Sequence, residues 1–321
     1  MAREDRTRKG GSGSRARSTE GQADADRDAS RDGATKKSLE LPQQSPIFHA
    51  EHSGRYERQE LIDRYQRAFD CRLIVVIDVI FGDSIVLLEE LLYDAERTRP
   101  LHLMLDSPGG DGESAVRMVR SAQKRCSELT VIVPDQAKSA ATLLAMGAHK
   151  ILMGPTSDLG PVDPQFPVGQ GEGRGLVSAK DIIAAVDSAE KAIAKNPDTY
   201  TLHASLLSEV DALLLQRARS ALARTSDLVA EALGSHPGRT ERQVTTLRNK
   251  LKRPLIDLPR DHGAIFGAQD AQRHGLPVEE VDPDSPQWKL IWRLYAKYFM
   301  LGSSARIYEA ERASRVQHWD G

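Results

Sequence analysis

A parallel α/β sheet with helical crossovers is the fold class predicted for this 321-residue chain, on three observations. Short apolar runs recur at 71–79, 101–106, 129–133 and 150–153. Segments with helical periodicity separate them. The runs at 101–106 and 129–133 each break into a turn that opens a helix. Strands alternating with helices are the signature of parallel pairing, because the chain must cross over between neighbours.

The elements follow in order. Residues 1–46 are dominated by Arg, Lys, Asp, Glu, Ser and Gly, with few large apolar groups. They bury too little surface to offset chain entropy, so a disordered charged tail is expected. Order is expected from Ile47. Residues 57–68 read as an amphipathic helix with Leu61, Ile62 and Tyr65 on one side. The run from Cys71 to Val79 suits a strand buried on both faces. Asp83 is a candidate cap for a helix carrying Ile85, Leu88, Leu91 and Leu92. Strand 101–106, helix 112–125, strand 129–133, helix 139–147 and strand 150–153 come next. From about residue 178 the pattern turns helical, over 179–194, around 199–222 and over 240–251. The stretch from Asp261 to Val281 reads as a helix returning into a final strand. The run from Trp288 to Phe299 is an amphipathic helix presenting Trp288, Ile291, Trp292, Tyr295 and Phe299, suited to packing or to a subunit contact. The expected organisation is a tail over 1–46, a domain over 47–284, and an aromatic helix with a tail over 285–321.

Composition narrows the function classes. A net charge of -2 implies no general pull toward nucleic acid or anionic membrane. Cys71 and Cys126 are too few for a disulfide framework or a metal site and read as reduced thiols. The N-terminus has no apolar leader, and no run approaches the roughly 18 apolar residues of a spanning helix. A soluble, cytoplasmic protein with no integral membrane segment is expected. His149, His203 and His274 have no metal-ligand spacing, and no Walker A or Rossmann fingerprint is present. Neither a metal nor a cofactor is expected. The glycine-rich stretch Gly169–Gly175 reads as a flexible loop rather than a phosphate cradle.

One constellation carries chemistry. Asp106-Ser107-Pro108-Gly109-Gly110 ends one strand, and Lys138-Ser139-Ala140-Ala141-Thr142 opens a helix after the next. Helix starts present free N–H groups. Ser139 suits a nucleophile, and the N–H groups of Gly110 and Ala140 suit an oxyanion hole. Glycine at 109 and 110 permits backbone angles and a close approach that a Cβ would block. Spacing alone equally allows an N-cap and a βα turn.

Three segments resemble the serine dehydrogenase proteinase family of the ClpP/crotonase superfamily, related to the SppA signal-peptide peptidases. The diglycine turn is similar to that family's TPGG-type oxyanion turn. Pro134 to Leu143 resembles its proline-to-nucleophile stretch, with Ser139 in the nucleophile's place. Asp158-Leu159-Gly160-Pro161-Val162-Asp163-Pro164-Gln165 is close to its LGPVDPQ signature. His262, followed by Ala271 and Gly275-Leu276, is a weaker fourth match. The resemblance implies a ββα spiral, a homo-oligomer, a cofactor-free serine peptidase and a peptide or protein substrate. Gly109 and Asp163 would then line the substrate site.

The proton acceptor stays open. ClpP-like enzymes use a histidine where this chain reads Leu159 to Asp163, which contains none, so that triad is not expected. SppA-like enzymes use a lysine downstream of the serine. Lys191 has the best spacing, Lys180 the more suggestive surroundings, and Lys195 lies in the same range. His262 is a further candidate. Each also fits a solvated helix face or a turn, and Asp163 also fits a turn-forming role. Lys138 reads as exposed or anion-facing. Ala141 stands where the family pattern has glycine, which narrows the pocket. A catalytically degenerate scaffold or peptide-binding member, and a crotonase-type acyl-CoA enzyme, remain alternatives to the peptidase.

Overall fold

Four apolar runs form the parallel centre of a sheet in the computed structural model, which describes residues 45–168, 175–258, 263–302 and 305–318. The chain divides into two units, Met1–Ala50 and Glu51–Gly321. Of the first, residues 46–50 are helical, and residues 1–44 of the expected tail lie outside the described residues.

The elements are α1 (Pro46–Phe69), β1 (Arg72–Ile77), α2 (Ser84–Leu92), β2 (Leu101–Asp106), α3 (Gly112–Lys124), β3 (Leu129–Val133), β4 (Gln136–Ala137), α4 (Ala140–Met146), β5 (Lys150–Met153) and β6 (Asp158–Leu159). A hairpin follows, β7 (Gln165–Val168) with β8 (Gly175–Ser178), then α5 (Ala179–Lys195), α6 (Tyr200–Leu206), α7 (Ala212–Gly234) and α8 (Glu241–Lys252). The chain returns through α9 (Ala268–Arg273), β9 (Val278–Glu280), α10 (Pro286–Phe299), β10 (Ala305–Glu309) and β11 (Ser314–His318).

The main sheet has the order β11-β10-β1-β2-β3-β5-β9. The pairs from β1 to β9 are parallel, and the two at the β10–β11 end are antiparallel. Side chains alternate across it, as a period of two requires. Ile74, Leu103, Val131 and Ile151 join one core with α2, α3, α4 and the C-terminal half of α7. Val75, Met104, Ile132 and Leu152 join a second core with α1 and α10. A third, smaller cluster gathers the β7–β8 hairpin, α5 and the N-terminal half of α7.

Past the C-terminal ends of the parallel strands the chain forms a second small layer. There β4 pairs with β6, Ser107 bridges Ala137, Ile80 bridges Gly110, and Leu159 bridges Phe266. The run β3–β4–α4 is thus strand, short second-layer strand, helix, the repeat of a ββα spiral, and single bridges at Ile80 and Ser107 take the second-layer place after β1 and β2.

Several expectations change. The Asp83 side chain caps nothing; its backbone is already helical (φ -81°, ψ -15°), and its carboxylate binds Arg306 at 2.8 and 3.0 Å. The helix expected around 199–222 is two, because Asp211 caps a new start by accepting from Leu214 N–H at 2.6 Å. The glycine-rich stretch is preceded by a strand, and residues 169–174 lie outside the described residues. The strand β9 is not the last, since residues 305–318, expected as tail, form a hairpin on the sheet. Arg306 and Glu309 are instead buried against Asp78 and Arg58.

Candidate active site

Ser139 sits at the junction between β4 and α4 with φ 49° and ψ -113°, a conformation that side chains rarely adopt. Two neighbours hold it there. Lys138 N–H donates to Ser107 O at 2.9 Å, and Ala141 N–H donates to Lys138 O at 2.8 Å. The Ser139 hydroxyl makes no hydrogen bond among the described residues and supplies no side-chain cap. The N-cap reading of Ser139 therefore does not hold.

The diglycine turn lies directly against this serine. A Cβ on Gly109 (φ +112°) would stand 2.7 Å from Ser139 Cβ and 3.4 Å from Ala140 N. A Cβ on Gly110 (φ +133°) would stand 2.2 Å from Ile80 O. Both positions thus require glycine, for conformation and for space. The turn is itself tied down. Ile80 N–H donates to Gly109 O at 2.8 Å, Asp111 N–H to Ile80 O at 2.7 Å, and Gly109 N–H to Ser107 Oγ at 3.1 Å. Among the described residues no acceptor takes the N–H of Gly110 or of Ala140. Ile80 escaped the sequence reading because nothing local marks a residue whose backbone serves a turn thirty positions on.

The LGPVDPQ loop meets the same helix. Thr142 Oγ1, fully buried, lies 2.7 Å from Ala137 O and 3.0 Å from Gly160 O, and accepts from Gly160 N–H at 3.1 Å. Further along, Asp163 is buried and Pro164 O accepts from Ala179 N–H at 2.8 Å. That bond brings the first turn of α5, with half-buried Lys180, to the end of the loop. Lys191 and Lys195 are exposed further along α5. His262 lies outside the described residues. Of the two readings of Lys138, exposed or anion-facing, the second holds. Lys138 is buried, and its ammonium pairs with the Asp158 carboxylate, because its side chain turns back over Gly160.

On the opposite face of the sheet, Tyr295 Oη donates to Asp106 at 2.8 Å and stands 3.3 Å from Asp135. Burial, reinforced by Asp135, pushes the Asp106 carboxyl up to about 6. Among the described residues no group of three His, Cys, Asp or Glu side chains could hold a metal ion, and no helix is long and apolar enough to cross a membrane.

A strained serine against a diglycine turn with two open N–H groups is an arrangement with which acyl transfer is chemically compatible. Comparison with known families agrees. Residues 75–201 match the ClpP-like SDH-type serine proteinases. The matched span contains Gly109, Gly110, Ser139, Ala140, Asp163, Lys180 and Lys191, and excludes His262. The match supports a function of the peptidase type. The uncharacterized protein MJ0137 of Methanocaldococcus jannaschii is 27% identical over 190 residues, 59% of this chain and 57% of that protein. The uncharacterized protein MJ1495 of the same organism is 33% identical over 67 residues, 21% of this chain and 23% of that protein. The chain thus spans little more than half of the first relative and about a quarter of the second. Among solved structures, a serine-to-alanine mutant of the 1510-N membrane-bound stomatin-specific protease covers 70% of this chain and 81% of its own. It is 14% identical with a TM-score of 0.39, an overlap too loose to carry an argument.

Proposed function

We propose that the chain is a serine peptidase in which Ser139 is the nucleophile and the N–H groups of Gly110 and Ala140 form the oxyanion hole. The observation that carries this reading is the contact between Gly109 and Ser139, with two unclaimed N–H groups beside it. Ser139 Oγ attacks the substrate carbonyl carbon while its proton passes to a base. The negative charge on the carbonyl oxygen is met by the two N–H groups. Collapse expels the amine, which takes the proton from the base. Water then repeats the sequence on the acyl-serine and releases the acid.

For the base, Lys180 is the residue of choice. It lies in the first turn of the helix that the LGPVDPQ loop joins to α4, and it falls inside the family match. Lys191 lies eleven residues further along α5 (191 minus 180), roughly 16 Å away at 1.5 Å per residue, on an exposed face. His262 falls outside that match.

A fluorophosphonate probe with a peptide-library assay tests the reading. The chain is expected to label, and Ser139→Ala to lose label and turnover together. Lys180→Met is expected to lower labelling about 100-fold or more, the range for a general base, with Lys191→Met unchanged and His262→Gln close to unchanged. Labelling that persists in Ser139→Ala would sink the nucleophile. A silent Lys180→Met with an inactive His262→Gln would move the base to His262.

A further inference from the structure

We propose that the buried Lys138–Asp158 ion pair is a positioning device that holds Ser139 in its left-handed backbone conformation. The inference rests on the reading of Ser139 as nucleophile and adds how that nucleophile is aimed.

The pair is built into the second layer from every side. Lys138 is 8% exposed, and besides Asp158 its ammonium faces Leu159 O and Ala264 O, each at 3.4 Å. Its side chain runs across Gly160, where a Cβ would lie 2.2 Å from Lys138 Cδ and 3.2 Å from Lys138 Cα. Asp158 is anchored in turn. Its N–H donates to Asp135 O at 2.8 Å, and its Oδ1 accepts from Phe266 N–H at 2.6 Å. With its backbone bonded to Ser107 and Ala141, Lys138 is held at main chain and side chain alike. Ala140 is fixed as the first residue of α4. Ser139 is the one link between two anchored residues, so its torsions absorb the mismatch. A non-glycine residue at such angles persists only where the surroundings over-determine it. The same contacts turn the Lys138 ammonium into its own set of acceptors, so it positions Ser139 and is not the base.

Ion pairs in an interior are poor sources of stability, since desolvation offsets most of their attraction. Neutral residues of similar volume would hold the fold about as well. Aiming a single backbone unit is what a charged pair with directed hydrogen bonds does and a greasy contact does not.

A stability cycle reads the proposal without any substrate. Ser139→Gly in the otherwise unchanged chain is expected to raise the folding equilibrium constant on the order of fivefold, because glycine accepts the φ of 49° without strain. In the Lys138→Met/Asp158→Asn background the same substitution is expected to bring no gain, because the serine has already relaxed. Equal gains in both backgrounds overturn the proposal. If the double variant does not fold, Asp158→Asn alone, which keeps an acceptor for Phe266 N–H, carries the same cycle. The second readout is kinetic. The double variant is expected to label at Ser139 about 100-fold more slowly, with kcat lowered and KM retained, while the pH dependence set by the true base is unmoved. Labelling at the wild-type rate overturns the proposal. A wild-type chain that never labels would instead defeat the nucleophile reading, and the stability cycle would still decide the clamp.

Discussion

Ser139 and Asp106 each sit where the isolated residue would not choose to be. For Ser139 the cost is conformational, about 1–3 kcal/mol for a residue outside the common backbone regions. For Asp106 it is electrostatic. Burial, with Asp135 nearby, raises its carboxyl to about 6, although the Tyr295 hydroxyl works in the other direction. Below the ordinary carboxylate value of about 3.9 both folded and unfolded chains are protonated there, and the group leaves stability unchanged. As pH rises toward 6 the folded chain keeps a proton that the unfolded chain has lost, so stability falls, and the full penalty holds above 6. Asp106→Asn is therefore expected to stabilise the protein by on the order of 2 kcal/mol at pH 8 and by nothing near pH 3. Thermal unfolding of variant and parent at the two pH values checks it, and an equal shift at both refutes it. His102 acts with the opposite sign, its value lowered to about 4 by burial, but it is common to both proteins and drops out of the difference.

At the scale of elements, the strand-turn-helix junctions were the most legible part of the chain. Strands 101–106, 129–133 and 150–153 are where their apolar runs lie, because a strand buried on both faces leaves little else for such a run to be. The diglycine and the serine stood out for the same local reason. Their contact was not legible, nor was the part of Ile80 in it. A test belongs to this junction. Gly109→Ala would thrust a methyl at Ser139 Cβ and is expected to cost about 100-fold or more in fluorophosphonate labelling by spoiling the hole. The companion substitution Gly110→Ala meets only the Ile80 backbone, which cannot give, so its main loss is expected in stability, at about 2 kcal/mol or more. Labelling and denaturant melts of the two variants separate the effects. A Gly109→Ala chain that labels normally would mean the turn is not the oxyanion donor.

At the scale of the whole second unit, the C-terminal hairpin matters most. Arg306 donates to Asp78 at 2.9 Å through both Nε and Nη2, and Tyr308 Oη donates to the same carboxylate at 2.8 Å. Arg58 meets Glu309 at 2.7 Å. All four charged groups are nearly buried. Ending the chain after residue 302 would strip Asp78 and Arg58 of their partners, at about 3–5 kcal/mol for each broken pair, and expose the edge of β1. That loss is comparable to the whole stability of a domain. The truncated chain is expected to show no cooperative thermal transition by circular dichroism. A sharp transition close to the parent's would refute the role given to the hairpin.

The sequence by itself determined the parallel α/β class, the succession of the central strands along the chain, the two glycines and the serine. These follow from periods of two and 3.6 residues and from turn chemistry, all of which act over a few neighbouring positions. The tertiary structure alone decided that Gly109 lies against Ser139, that Lys138 turns inward to Asp158, and that a stretch expected as tail adds two strands to the sheet, the first of them buried. Such contacts depend on which strands become neighbours and on where a charge finds its partner. A chain read in one dimension shows an Arg306 or a Lys138 only as a charge, and a charge without its partner reads as solvent-facing.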